Sequence, residues 1–227
     1  MKKIVIPILI FLLTLNSCKK DKEETPVFAG DINLEMLHYE FNPALQIQFQ
    51  TDSLKKIKFG IDSIDIDQDN SFDILINQRI YLDWTDDFNR YYLSRNDFPF
   101  IGLELKNGFE VAIKIIRFPI GQGAFYSVAM VDTIPYQTKL NKISDWQNSE
   151  MPSVSYGGYY NNSIWLWGAP PASYWMFGSY GTWYRLSDKE MFIGIRKKYD
   201  TEYKVGWIKV KVYNYDKFEI LSYAIEK

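Results

Sequence analysis

Apolar and polar residues alternate through much of this chain, and the alternation has the period of a β-strand. In Leu45-Gln46-Ile47-Gln48-Phe49-Gln50 every second residue is apolar, which predicts a half-buried strand with one wet face. Ile57, Phe59 and Ile61 repeat the pattern, and residues 72–76 form a short apolar run. Residues 101–105 and 109–116 flank Lys106-Asn107-Gly108, where Asn-Gly accepts the positive φ angles of a type I′ turn and predicts a hairpin. Another strand is expected over residues 125–131, and a turn or two of helix within residues 138–147. The chain closes with three strand patterns, at residues 191–197, 203–213 and 218–225, with turns at Asp200-Thr201 and Tyr215-Asp216-Lys217. In the second of these, Ile208, Val210 and Val212 share one face and Lys209 and Lys211 the other. Internal repeats and long helical patterns are missing. Short strands at short intervals predict an all-β fold, an antiparallel, jelly-roll-like β-sandwich forming one domain over residues 28–227.

Residues 151–187 interrupt the alternation. They are rich in Gly, Tyr, Trp, Ser and Asn, and they predict long loops with one or two short strands. Trp165, Trp167, Trp175 and Trp183 lie here with Tyr159 and Tyr160.

The pattern at the start of the chain is different again. Lys2 and Lys3 precede an apolar run over residues 4–15 that is short for a bilayer span, so residues 1–17 read as a signal peptide. The run ends at Leu15-Asn16-Ser17-Cys18, which resembles the lipobox of bacterial lipoproteins. The resemblance implies cleavage before Cys18 and lipidation of that residue, with several acyl chains giving a firm anchor. The alternative is an ordinary secretory signal and a stray cysteine. Residues 18–27 then form a tether, because Lys19-Lys20-Asp21-Lys22-Glu23-Glu24-Thr25-Pro26 has nothing apolar to pack. Lys22-Glu23-Glu24 resembles the acidic export signal of Bacteroidota lipoproteins, which implies an outer-membrane lipoprotein facing the cell exterior; a plain polar linker is the alternative.

Composition narrows the chemistry. A 17% aromatic share suits half-buried strands, and a net charge of −2 over 227 residues leaves no basic footprint for nucleic acid. Cys18 is the one cysteine, so the chain has no internal disulfide. His38 is the one histidine and reads as a strand residue between Leu37 and Tyr39, which leaves no histidine-based zinc site.

The densest candidate chemistry is Asp65-Ile66-Asp67-Gln68-Asp69-Asn70-Ser71-Phe72-Asp73. Asp65, Asp67 and Asp69 fall at positions one, three and five of a calcium loop, with the Ser71 carbonyl at seven and the Asp73 carboxylate at nine. Asn70 takes the sixth position, usually glycine, where a left-handed backbone is needed. Ile76 at the twelfth position excludes an EF-hand's bidentate acid but not a nine-residue loop. Four close carboxylates repel one another without a cation. The competing reading is a strand whose aspartates face solvent while Ile64 and Ile66 face in.

The C-terminal strands resemble a family of secreted bacterial β proteins, mostly lipoproteins and sorted surface proteins of undetermined activity. The likeness rests on Met191-Phe192-Ile193-Gly194-Ile195-Arg196, Tyr203-Lys204-Val205-Gly206-Trp207-Ile208-Lys209-Val210 and Tyr223-Ala224-Ile225-Glu226, together with the Asp loop over residues 65–72. Val205 and Ile225 replace the aromatic residues usual at those two places. The resemblance implies no enzymatic activity. Gly206 in a strand implies a bulge or a close approach, with Trp207 covering the spot as a core residue.

The expected function is a lipid-anchored extracellular binding module for glycan or protein, stapled by calcium. Trp165, Trp167, Trp175, Trp183, Tyr159 and Tyr160 supply flat rings for the ligand, with Asn161 and Asn162 nearby. Alternatively these rings cover one end of the sandwich. An extracellular polysaccharide hydrolase would need two carboxylates about 5–10 Å apart in a cleft. Glu104, Glu110, Glu150 and Glu190 offer acids but no pairing. A purely structural envelope protein would show neither feature.

Overall fold

The computed structural model describes residues 25–54, 57–81, 100–121, 124–148, 164–168, 188–213 and 217–227. Its strands are β1 (Met36–Gln46), β2 (Phe49–Asp52), β3 (Ile57–Ile64), β4 (Ile74–Tyr81), β5 (Phe100–Leu105), β6 (Phe109–Gly121), β7 (Ala124–Val131), β8 (Trp146–Gln147), β9 (Ile164–Gly168), β10 (Lys189–Tyr199), β11 (Glu202–Tyr213) and β12 (Lys217–Glu226). The fold is all-β. Among the described residues, pairing is antiparallel except where β9 meets β7 at Met130 and Trp165.

The strands follow one path, β1-β12-β11-β10-β6-β7-β9-β5-β4-β3-β2, that folds on itself at β6. The first residues of β6 pair with β10 and β8, and the rest pair with β7. A long strand that changes sheet in this way makes the corner of a sandwich. The core between the layers confirms it. Ile64, Ile74, Ile76, Ile101 and Leu103 from one sheet, with Ile66 from the loop after β3, meet Ile193, Ile195, Ile208, Val210, Phe218 and Ile220 from the other. The face predicted for Ile208, Val210 and Val212 is therefore the core face.

Three local expectations change. The alternating stretch Leu45-Gln46-Ile47-Gln48-Phe49-Gln50 keeps its wet glutamines, but it is not one strand: Leu45 and Gln46 pair with β12 and Phe49 begins β2 in the other sheet. Ile47 plugs the core at the crossing. The Asn-Gly turn forms, with φ of 55° at Asn107 and 76° at Gly108, and the Phe109 N–H donates to the Lys106 carbonyl at 3.0 Å. It does not make a hairpin, because β5 pairs with β4 and β9 while β6 joins β10, β8 and β7. A tight turn satisfies its own backbone whichever sheets its arms enter. In β3 the inward face carries Gly60 and Ile64, and Ile61 lies 65% exposed.

A second apolar layer covers the outer face of the β10-β11-β12 sheet. Val27 and Ala29 pair with the segment after β7: the Leu140 N–H donates to the Val27 carbonyl at 2.8 Å and the Ala29 N–H to the Thr138 carbonyl at 3.0 Å. Together with Ile134 and Leu140 they bury Phe192, Val205 and Trp207. Trp207 is 2% exposed, packs edge-on to Phe192 and donates its indole N–H to the Asp31 carbonyl at 3.1 Å. One short 3-10 turn, Leu140–Lys142, is the helical element described in the expected region. His38 sits in β1 opposite Ala224, its ring 6.1 Å from that of Trp207.

Candidate functional site

The acidic loop joins β3 to β4, whose ends pair at Ile64 and Ile74. Its first half is wound by its own side chains. The Asp65 carboxylate accepts from the N–H groups of Asp69 at 3.2 Å and Asn70 at 2.8 Å, and Asp69 Oδ1 accepts from the Ser71 N–H at 2.8 Å. These are the short-range bonds through which aspartate builds turns. Asn70 takes the left-handed conformation expected of it, φ 69°, and Gln68 takes it as well, φ 60°. Ile66 is fully buried, as Ile64 nearly is, so the loop is also pinned by apolar residues facing inward.

The second half is held from outside the loop. Asp73 is 0% exposed; its Oδ2 accepts from the Ile66 N–H at 2.8 Å and the Asp67 N–H at 3.3 Å, and its Oδ1 from Asn107 Nδ2 at 3.0 Å. The Asn107 amide also donates to the Phe72 carbonyl at 3.2 Å, so the Asn-Gly turn is bolted to the acidic loop. Lys197 reaches across from β10, in the opposite sheet. Its Nζ contacts Asp67 Oδ2 and lies 3.9 Å from Asp73 Oδ1, above the Phe109 ring at 5.0 Å. Tyr199 donates its hydroxyl to the same Asp67 oxygen at 2.8 Å, and Tyr223 donates to the Asp65 carbonyl at 2.8 Å. Among the described residues, nothing donates to the buried Asp67 Oδ1.

These contacts set the charges. Burial alone would push the Asp67 carboxyl up, but bonds from Lys197 and Tyr199 outweigh it and hold the group below its ordinary value. Burial dominates at Asp73 and raises its carboxyl in spite of the Asn107 and Ile66 bonds. Lys197 would be lowered by burial, yet Asp67 and Asp73 together raise it. The Tyr199 hydroxyl is raised by burial and by its bond to Asp67.

Asp65, Asp67 and Asp73 each bring an oxygen to within 4.8 Å of the others, an arrangement that could hold a metal ion. Of the expected carboxylate ligands, Asp69 does not join this group: it is exposed, and its carboxylate accepts from the Ser71 N–H. The repulsion among the carboxylates, which argued for a bound cation, is offset here by the Lys197 ammonium. Lys197, Tyr199, Tyr223 and Asn107 were not anticipated as members of the site. One signal for Lys197 was present: it continues the alternate face of Ile193 and Ile195, so a charge was due in the core beside an acid.

Trp165 and Trp167 are in β9, an interior strand, with Trp165 opposite Gly102 and Met130 and Trp167 opposite Ile101. Trp175, Trp183, Tyr159, Tyr160 and Cys18 lie outside the described residues. Glu104 pairs with Lys106, Glu110 with Arg196 and Glu190 with Lys209, each with its own base, and Glu150 is outside the described residues.

Fold and site together define an antiparallel β-sandwich whose acidic loop is clamped from both sheets. The chain matches no protein family, no curated protein and no solved structure.

Proposed function

We propose that this chain is a lipid-anchored, non-catalytic surface module that binds a glycan or protein ligand and uses its acidic loop as a staple. The observation that carries the staple reading is the commitment of Asp73, wholly buried with both oxygens taken by N–H donors. A general acid or base for an external substrate must bring an oxygen to the solvent-facing surface, and Asp73 is turned into the body of the protein instead. Anchoring is supported by Leu15-Asn16-Ser17-Cys18, exterior display by Lys22-Glu23-Glu24, and ligand binding by the rings between Tyr159 and Trp183. The test is a screen of the surface-displayed chain against glycans and proteins, with polysaccharide turnover followed in parallel. Saturable binding without turnover is the expected result. Turnover would establish the alternative, an extracellular polysaccharide hydrolase, and neither activity would leave a structural envelope protein. Cys18→Ser is expected to release the protein from membranes; retention in the membrane fraction refutes the anchor.

Calcium is the cation we propose for the loop, because its site is built from hard carboxylate oxygens of Asp65, Asp67 and Asp73. Its entry requires Lys197 to give up Asp67. Binding to the folded state alone would raise the melting temperature in calcium over that in chelator; coincident melting curves refute the metal.

A further inference from the structure

The contact between Lys197 and Asp67 has the makings of more than an ion pair. It joins two sheets through residues 130 positions apart, in a chain with a single cysteine and therefore no internal disulfide to staple them. Both side chains are about nine-tenths buried, 10% and 11% exposed, so the amine and the carboxyl are held against each other with little water between them. A second acid, Asp73, is fully buried 3.9 Å from the same nitrogen. The two oxygens of Asp67 are treated unequally: Oδ2 takes the Tyr199 hydroxyl, while Oδ1 is buried with no donor among the described residues. A buried carboxylate with one oxygen unsatisfied is an expensive arrangement.

We propose that Lys197 and Asp67 condense to an isopeptide bond that cross-links the two sheets of the sandwich. The inference goes beyond the binding reading and does not depend on it; because the amide leaves Asp67 no carboxylate, calcium at Asp67 is confined to chains in which the bond has not formed.

The step balances within the residues present. A bond forms between Lys197 Nζ and Asp67 Cγ, and the bond from Cγ to Oδ1 breaks. Of the three ammonium hydrogens, one stays on the amide nitrogen and two leave with Oδ1 as water. The positive and negative charges disappear together, and no oxidant, reductant or co-reactant is needed. Asp73, with Oδ1 3.9 Å from Nζ and an oxygen within 4.8 Å of the Asp67 carboxylate, takes a proton from Nζ and passes it to the departing oxygen, ending as it began. Tyr199 stays hydrogen-bonded to Oδ2, first as that oxygen gains charge during attack and then as the amide carbonyl. The oxygen expelled is the one that has no partner, so the product removes the unsatisfied group. Fixed proximity raises the effective concentration of the amine at Cγ far above any attainable in solution.

The experiment is peptide mass spectrometry on the full chain, purified in chelator so that no metal holds Asp67. Expected is a branched species joining the peptides of Asp67 and Lys197, lighter than their sum by one water. Lys197→Arg, which keeps the charge but replaces the amine nucleophile, should give only separate peptides and a lower melting temperature. Asp73→Asn, checked for folding by near-ultraviolet circular dichroism, should also leave the peptides separate. Unlinked wild-type peptides, with Lys197 open to amine labelling after denaturation, would overturn the proposal. A fully cross-linked Asp73→Asn protein would overturn the role given to Asp73. The binding screen is read independently, so either result stands whether or not a ligand is found.

Discussion

Tyr223 shows how a single residue ties the acidic loop to the core. Its ring lies in the interior and stacks on Tyr39 at 5.7 Å, while its hydroxyl donates to the Asp65 carbonyl at 2.8 Å. Tyr223→Phe keeps the ring and removes one hydrogen bond, so a loss of about 1 kcal/mol is expected at neutral pH, read by urea denaturation. The alkaline limb gives a second test. Burial raises the Tyr223 hydroxyl above its ordinary value. The folded state therefore holds this proton more tightly than the unfolded state, and the stability it contributes is complete below the unfolded value. That contribution is lost as pH rises through the folded value. In Tyr223→Phe the fall in melting temperature above the ordinary tyrosine range should be shallower than in wild type. An equal slope would mean that this hydroxyl does not contribute to alkaline unfolding.

At the scale of the element, β11 owes its fit against β12 to Gly206. A Cβ there would stand 2.2 Å from the Ala224 carbonyl oxygen and 2.8 Å from Ile225 Cα. Both obstacles are backbone, so neither can rotate aside. Gly206→Ala is expected to destabilise the protein by about 1–3 kcal/mol or more, measured as a lower denaturation midpoint. Gly108→Ala provides the contrast, since a Cβ there meets nothing within 4 Å and only the φ of +76° resists it. Its loss should be about 1 kcal/mol, of conformational origin. β10 makes the complementary point. Ile193 and Ile195 pack inward as their spacing predicts, and Lys197 on the same face meets Asp67. The alternation told which way Lys197 faced, but not that an acid from another element would be waiting.

The whole molecule has two apolar layers on either side of the β10-β11-β12 sheet. The outer layer is thin: Trp207, Phe192 and Val205 are sealed by Val27, Ala29, Ile134 and Leu140. Trp207→Ala would open a cavity there and break the bond to the Asp31 carbonyl, for an expected loss of about 3–5 kcal/mol. For a chain of this size each kcal/mol corresponds to roughly 2–4 °C, so a fall on the order of 10 °C in melting temperature checks the prediction. An unchanged melting temperature would mean that the outer layer does not support the sheet.

Strand identity was determined by the sequence, because a period of two in apolar residues has one stable solution, a sheet with a buried face. The last three strands, the all-β class, the core role of Trp207, the left-handed Asn70 and the positive φ angles of Asn107-Gly108 all follow from local chemistry of that kind. Sheet membership was decided only in three dimensions. The stretch from Leu45 to Gln50 divides between sheets, and the Asn-Gly turn feeds strands that never pair, because neither alternation nor turn type specifies a partner. The acidic loop divides the same way. Its crowding was plain in one dimension, and crowding alone argued for an external cation. Lys197 and Tyr199, remote in sequence, come from the facing sheet, and packing across the sandwich brings their charge and hydroxyl to Asp67.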